Sequence, residues 1–184
     1  MPRELNATAA SLLGLLHQGP MTGWDLVATA QERIGNFWTL TQSQVYRELA
    51  RMTETGLVTV GEPGPRDRKP YTITPAGRAA FAEWINGDPA REQLRVPLLL
   101  TIQFAGHLAP GRLREIIETE RARHAERLAG YRTHEKLLAG APGQAQRLAT
   151  LRFGIRHEQA VLDWFDELPA VLGLPQDAGS HRLE

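Results

Sequence analysis

Cysteine is absent from this 184-residue chain. That excludes disulfide scaffolds, cysteine nucleophiles, iron–sulfur clusters and thiolate zinc sites together, and it fits a reducing compartment. An excess of one charge is lacking too. The 21 Lys and Arg residues balance 21 Asp and Glu, so no overall field attracts a polyanion, and any nucleic-acid contact has to come from a local patch. Lysine itself is nearly missing: Lys69 and Lys136 stand against 19 Arg, a bias that a G+C-rich genome explains. Long apolar runs are missing as well. The greasiest stretch, Val96 to Ala109, is 14 residues long and broken by Gln103 and His107, whereas a membrane span needs about 20. The start, Met1-Pro2-Arg3-Glu4, has no apolar signal-peptide core. The expectation is a soluble, cytoplasmic protein with no membrane partner.

Recognisable catalytic and metal-binding patterns are also missing. His17, His107, His124, His134, His157 and His181 form no i, i+4 pair and no HExxH motif. His124 and His134, ten residues apart on one helical segment, are expected to point in quite different directions, and no metal site is predicted. There is no Gly-x-Ser-x-Gly elbow, P-loop or dinucleotide fingerprint. Acidic clusters at Glu118-Thr119-Glu120 and at Asp163 with Asp166-Glu167 read as solvated helix faces. No catalytic residue and no cofactor are expected.

What is present is 42% apolar and 23% charged residues, ordinary for a folded protein, over a length that allows one or two domains. Composition shifts at the turn formers Asn86-Gly87-Asp88-Pro89. Before them short helical and strand-like segments alternate; after them come long helical patterns. The predicted organisation is residues 1–87, residues 91–175 and a tail over 176–184, where Leu183-Glu184 is either native or a cloning remnant.

In the first unit, Asn6 suits an N-cap before Leu12, Leu13, Leu15 and Leu16, and Gly19-Pro20 breaks that helix. A second helix starts near Thr22, carries Trp24, Leu26, Val27 and Ile34, and stops at Gly35-Asn36. Thr41 caps a third, running to about Thr55 and closed by Gly56. Its Val45, Leu49 and Met52 fall at i, i+4 and i+7 and form a buried stripe. Ser43, Gln44, Arg47 and Arg51 project away from that stripe, with Tyr46 on its flank. Leu57–Val60 and Tyr71–Thr74 read as two strands around a tip, Pro63–Lys69. Thr74-Pro75 then opens a fourth helix with Phe81, Trp84 and Ile85 on its apolar side.

Helix, helix, helix, hairpin, helix is the order of a winged helix-turn-helix. Such a third helix fits the DNA major groove, where Arg pairs guanine and Gln pairs adenine, while hydroxyls of Thr41, Ser43 and Tyr46 suit phosphates and base edges. Arg66, Arg68 and Lys69 at the tip suit backbone phosphate or an adjacent minor groove. Plainer readings stand beside these: Arg47 and Arg51 as solvated partners of Glu48 and Glu54, Tyr46 as a rim residue of the core, the cationic tip as a solubility device.

The first unit resembles the PadR family of bacterial transcriptional regulators. The resemblance rests on Leu12-Leu13-Gly14-Leu15-Leu16, Gly19-Pro20, Thr22-Gly23-Trp24-Asp25-Leu26, Phe37-Trp38, Thr41 to Tyr46, Leu49, Gly56-Leu57-Val58, and Lys69 to Gly77. The second unit is similar to the longer subgroup with a C-terminal helical domain, through Leu98-Leu99-Leu100, Arg112–Leu138 and Arg152 to Trp164. The resemblance implies a homodimer on a palindromic double-stranded DNA operator, commonly a repressor released by a small aromatic or drug-like effector, with activators also known. Trp24 stands where the family commonly has Tyr, and Arg47 where Pro is frequent.

In the second unit, Leu113, Ile116, Ile117, Leu128, Tyr131, Leu137 and Leu138 share one broad face. Leu148, Leu151, Ile155, Leu162, Phe165 and Leu168 repeat after the Gly140-Ala141-Pro142-Gly143 turn. Two helices of about 25 residues predict an antiparallel hairpin that packs on a second chain; an intramolecular bundle is the alternative. The fold class expected is mainly α, with an N-terminal winged helix-turn-helix carrying a two-stranded wing and a C-terminal all-α dimerisation domain. Trp38 and Trp84 are expected near the junction of the two domains, either as effector-stacking surfaces or as core and interface residues. An effector is expected to change the angle of the DNA-binding heads and so their half-site spacing. A winged helix that binds protein and not DNA is the rival reading.

Overall fold

A computed structural model describes residues 5–35, 37–64, 68–91 and 94–174. The chain divides into two compact units, residues 1–91 and 92–184. Arg66, the stop at Asn36 and the tail over 176–184 lie outside the described residues.

The first unit opens with α1, Ala7–Leu16, capped by the Asn6 side chain, which accepts a hydrogen bond from the Ala9 amide. A two-residue strand β1, Met21–Thr22, runs directly into α2, Gly23–Arg33. Thr22 and Asp25 cap α2 reciprocally: the Asp25 amide donates to Thr22 Oγ1 at 3.2 Å and the Thr22 amide donates to Asp25 Oδ2 at 3.1 Å. Helix α3, Gln42–Glu54, follows and ends at Gly56. That residue takes φ +70°, a left-handed stop for which glycine carries no Cβ penalty.

The hairpin strands are β2, Val58–Val60, and β3, Pro70–Ile73. They join β1 in an antiparallel sheet of order β1-β3-β2. The two-stranded wing, β2 with β3, is extended by β1 into a three-stranded sheet; a strand as short as β1 has no pattern of its own to announce it. Thr74 then locks the sheet to α4, Pro75–Asn86. Its hydroxyl donates to the Gly56 and Leu57 carbonyls at 2.8 and 3.1 Å and accepts from the Gly77 amide at 3.0 Å.

The core of this unit is Leu12, Leu13, Leu16, Leu26, Val45, Leu49, Met52, Val58 and Ile73, all buried. At roughly 1.5–3 kcal/mol for each large side chain taken out of water, the third-helix stripe alone is a firm anchor. On α4, Phe81 turns inward, its ring 4.9 Å from that of His17. Trp84 and Ile85, expected beside it, are exposed on this unit. They are apolar and at helical spacing, but it is Phe81 that packs against the core of this unit.

The second unit holds α5, Pro97–Gln103, a 3₁₀ turn at Ala105–His107, α6, Arg112–Leu138, and α7, Ala145–Leu172. The two long helices form an antiparallel hairpin: Arg121 meets Asp166, His124 meets Glu158, and Glu135 meets Arg152. Ile117, Phe165 and Leu168 form its core with Leu98, Ile102, Leu113, Val161 and Trp164 around them. Leu137, expected on the same face, is 74% exposed; its neighbour Leu138 takes the inward position. Both His124 and His134 turn toward α7, reaching Glu158 and Arg147. Ten residues at 100° each leave two side chains about 80° apart, close enough to share one broad face.

Candidate nucleic-acid interface

Helix α3 begins with a cap that consumes two of the expected contact residues. The Gln44 amide donates to Thr41 Oγ1 at 3.3 Å, and Gln44 Oε1 accepts from the Thr41 amide at 2.9 Å. Ser43 Oγ lies 3.2 Å from Thr41 Oγ1. This capping box fixes where the helix starts, so Thr41 and Gln44 have a structural duty in addition to any they have toward a ligand.

Beyond the cap the helix is divided sharply. Val45, Leu49 and Met52 are buried, whereas Ser43, Tyr46 and Arg47 are exposed. Arg47 has no ion-pair partner among the described residues. Arg51 differs. Its Nη2 lies 2.6 Å from Glu48 Oε2, an ion-pair contact without hydrogen-bond geometry. Glu48 is 8% exposed and its Oε1 accepts from Asn6 Nδ2 at 3.2 Å. Arg51 thus neutralises a buried carboxylate, which is not the solvated pairing expected of it and is no bar to a DNA contact, and Glu54 is not its partner among the described residues. The inward place of Glu48 is readable in principle, since it sits three residues after Val45 on the buried stripe.

Tyr46 leans across the start of α2, where Gly23 leaves room for its ring. It also lies beside Tyr71 of β3. Burial first, and the neighbouring Tyr46 phenol second, push the Tyr71 phenol above its usual 10.0. At the wing, Lys69 is exposed and Arg68 is half-buried, with its guanidinium 4.8 Å from the Trp24 ring centroid. The sequence places Trp24 on α2 without a partner; the two residues are 44 positions apart, so no local pattern joins them.

Trp38 and Trp84 are each 37% exposed and belong to the first unit. The described residues include no group of three or more His, Cys, Asp or Glu placed to hold a metal ion, and no helix among them is long and apolar enough to cross a membrane. The second unit holds a buried charged cluster that no motif in the sequence announces. Glu158, 5% exposed, lies 2.5 Å from His124 Nδ1 and accepts from Arg127 Nε at 3.1 Å.

The sequence profile of the transcriptional regulator PadR-like family matches residues 12–83, and that of the virulence activator alpha C-terminal region matches residues 94–173. A probable transcriptional regulator of Mycobacterium tuberculosis, Rv1176c, is 30% identical over 181 residues, spanning 89% of this chain and 95% of that one. The negative transcriptional regulator PadR of Bacillus subtilis is 24% identical over 175 residues, with 88% and 95% covered. Its crystal structure with operator DNA superposes with a TM-score of 0.75 at 21% identity, covering 91% of this chain and 98% of that one. A second, with p-coumaric acid, gives 0.70 at 23%, covering 91% and 99%. The Vibrio cholerae virulence activator AphA gives 0.72 at 28% identity, covering 91% and 98%. Winged helix, long helical hairpin and both sequence profiles agree: the chain belongs to the PadR-like family of transcriptional regulators.

Proposed function

We propose that the protein acts in the cytoplasm as a homodimer on a palindromic DNA operator, with the winged helix-turn-helix of residues 1–87 as the DNA-binding domain and residues 91–175 as the dimerisation domain. The observation that carries this reading is the division of α3. Val45, Leu49 and Met52 fix the helix in the core while Tyr46 and Arg47 stand clear on its other side. In the major groove Arg47 reads base edges, with guanine its favoured bidentate partner. Ser43 and Tyr46 flank it, and Arg68 and Lys69, with Arg66, hold phosphate. Thr41 and Gln44 position the helix and present hydroxyl and amide at its N-terminal end, where backbone amides favour phosphate.

Dimerisation is supported by apolar side chains that the second unit leaves exposed, among them Leu94, Leu100, Phe104 and Phe153; a second copy is the partner that covers them. A small aromatic effector is supported by the likeness to Bacillus subtilis PadR in its complex with p-coumaric acid. The half-exposed indoles of Trp38 and Trp84 are the candidate stacking surfaces. Release of operator on binding such a molecule makes the protein a repressor. The activator reading draws on the AphA likeness, and a promoter fusion measured with and without the gene separates the two signs. No residue is assigned a chemical step.

The direct test is fluorescence anisotropy on DNA from immediately upstream of the gene, beside scrambled DNA, at about 50 and 200 mM salt. Preferential binding to the upstream duplex, abolished by Arg47→Ala and weakened by orders of magnitude at the higher salt, is expected. Failure there and in a selection from random DNA transfers the winged helix to protein recognition.

A further inference from the structure

Trp24 is the second residue of α2, capped by Thr22, and 53% of its surface is exposed. A tryptophan left that open contributes little to the core, yet its position is closely determined from two sides. The Thr22–Asp25 capping box fixes the first turn of α2. The β1–β3 pairing then sets Thr22 opposite Pro70, so the return arm of the wing passes beside that turn. Arg68, two residues before Pro70, has its backbone tied down as well: the Gly64 amide donates to the Arg68 carbonyl at 2.9 Å, and the Gly61 amide to the Pro70 carbonyl at 2.8 Å. With both backbones held, the Arg68 guanidinium centre lies over the indole, 4.8 Å from the ring centroid. No carboxylate pairs with Arg68 among the described residues.

A cation–π contact draws on the charge of the guanidinium against the ring face and needs no hydrogen bond from its five N–H donors. Arg68 makes no side-chain hydrogen bond among the described residues, so the contact restricts the long side chain and leaves donors for an oxyanion. An arginine free to rotate loses that freedom on binding; one already held does not. We propose that Trp24 is a positioning residue that holds Arg68 ready for a phosphate of the DNA backbone. The inference rests on the DNA-binding reading above and adds to it a residue outside both the recognition helix and the wing. Tyrosine at this position would offer a smaller and weaker cation-binding face than indole.

The test is a double-mutant cycle on the full-length protein, binding to the upstream duplex and to a scrambled one at low salt. Trp24→Ala is expected to weaken both duplexes by the same factor, about three- to tenfold, because phosphate contacts carry no sequence. Arg68→Ala is expected to weaken both and to flatten the dependence of log affinity on log salt by about one unit, the signature of one lost phosphate contact. On the Arg68→Ala background, Trp24→Ala should change nothing further. Trp24→Phe, which keeps an aromatic face, should restore most of the loss; Trp24→Leu, which keeps bulk without one, should not. Equal losses from Trp24→Ala with and without Arg68 overturn the inference, as does rescue by Leu. Wild-type protein that binds neither duplex in a salt-dependent way overturns the DNA reading and this inference with it. Wild-type binding with independent losses overturns the inference alone.

Discussion

Gly23 and Tyr46 occupy each other's space: a Cβ on Gly23 would fall 2.6 Å from Tyr46 Cε1 and 2.7 Å from Cζ. Those atoms are the far end of a side chain that is 42% exposed, so the ring can swing away where a backbone neighbour could not. Gly23→Ala is expected to leave folding nearly unchanged, within about 0.5 kcal/mol, and to displace Tyr46. DNA affinity should fall roughly tenfold, about 1.4 kcal/mol, matching Tyr46→Ala. Wild-type affinity in Gly23→Ala would remove Tyr46 from the interface.

The two arginines of α3 should separate by what each leaves behind. Arg47→Ala removes an exposed, unpaired charge and is expected to change stability by less than about 0.5 kcal/mol while abolishing operator preference. Arg51→Ala strands the buried Glu48 carboxylate. A fully buried pair costs roughly 3–5 kcal/mol to break, but Arg51 keeps 32% of its side chain exposed, so about 1–2 kcal/mol is expected. Urea unfolding followed by tryptophan fluorescence reads this: Trp24, Trp38 and Trp84 lie in the first unit, and Trp164 of the second contributes a transition common to both variants. Equal midpoints for the two variants would show that the Glu48–Arg51 contact carries no weight.

These residues also mark how far the sequence reaches. The capping of α3 is legible because Thr41 and Gln44 act on amides within one turn, and its stripe because Val45, Leu49 and Met52 follow the helical period. Local chemistry decides such features. Glu48 sits on the same stripe, so its inward place is readable, but its partner Asn6 is 42 positions away and no local pattern announces that hydrogen bond. Strand β1 exists because β3 is there to pair with it. The apolar side of α4 misleads for the converse reason: Trp84 and Ile85 have the right spacing, yet packing leaves Trp84 37% and Ile85 58% exposed. On the candidate interface, the exposed side chains of α3 are legible while the Trp24–Arg68 contact is not, being made only when the sheet closes.

Gly77 presents the opposite case to Gly23. A Cβ there would meet the Leu57 carbonyl oxygen at 2.1 Å and Ile73 Cγ1 at 3.0 Å. The oxygen belongs to backbone that also accepts from the Thr74 amide and hydroxyl. It has no room to retreat without breaking the lock between sheet and α4. Gly77→Ala is therefore expected to destabilise the first unit by about 1–3 kcal/mol, the usual cost of forcing extra volume into a packed site. The same urea titration measures it, and an unchanged midpoint would show that α4 can slide along the sheet.

Alkaline pH should loosen the helical hairpin through Tyr131. Burial, and secondarily the Glu158 carboxylate, hold its phenol above 10.0, with Arg127 acting in the opposite direction. In the unfolded chain that phenol releases its proton near 10.0, whereas in the folded protein it keeps the proton to higher pH. Above pH 10 the folded state therefore carries more protons than the unfolded one, and stability falls as pH rises toward the folded value; below pH 10 this contribution is complete. Tyr131→Phe cannot ionise and should lose less thermal stability than wild type between about pH 9 and pH 11, followed by the helical circular-dichroism signal. Tyr71→Phe should act in the same direction in the first unit, where burial is again the leading cause. Identical alkaline losses in wild type and Tyr131→Phe would mean that the hairpin opens before the phenol titrates, leaving the Glu158 cluster with no hold on it.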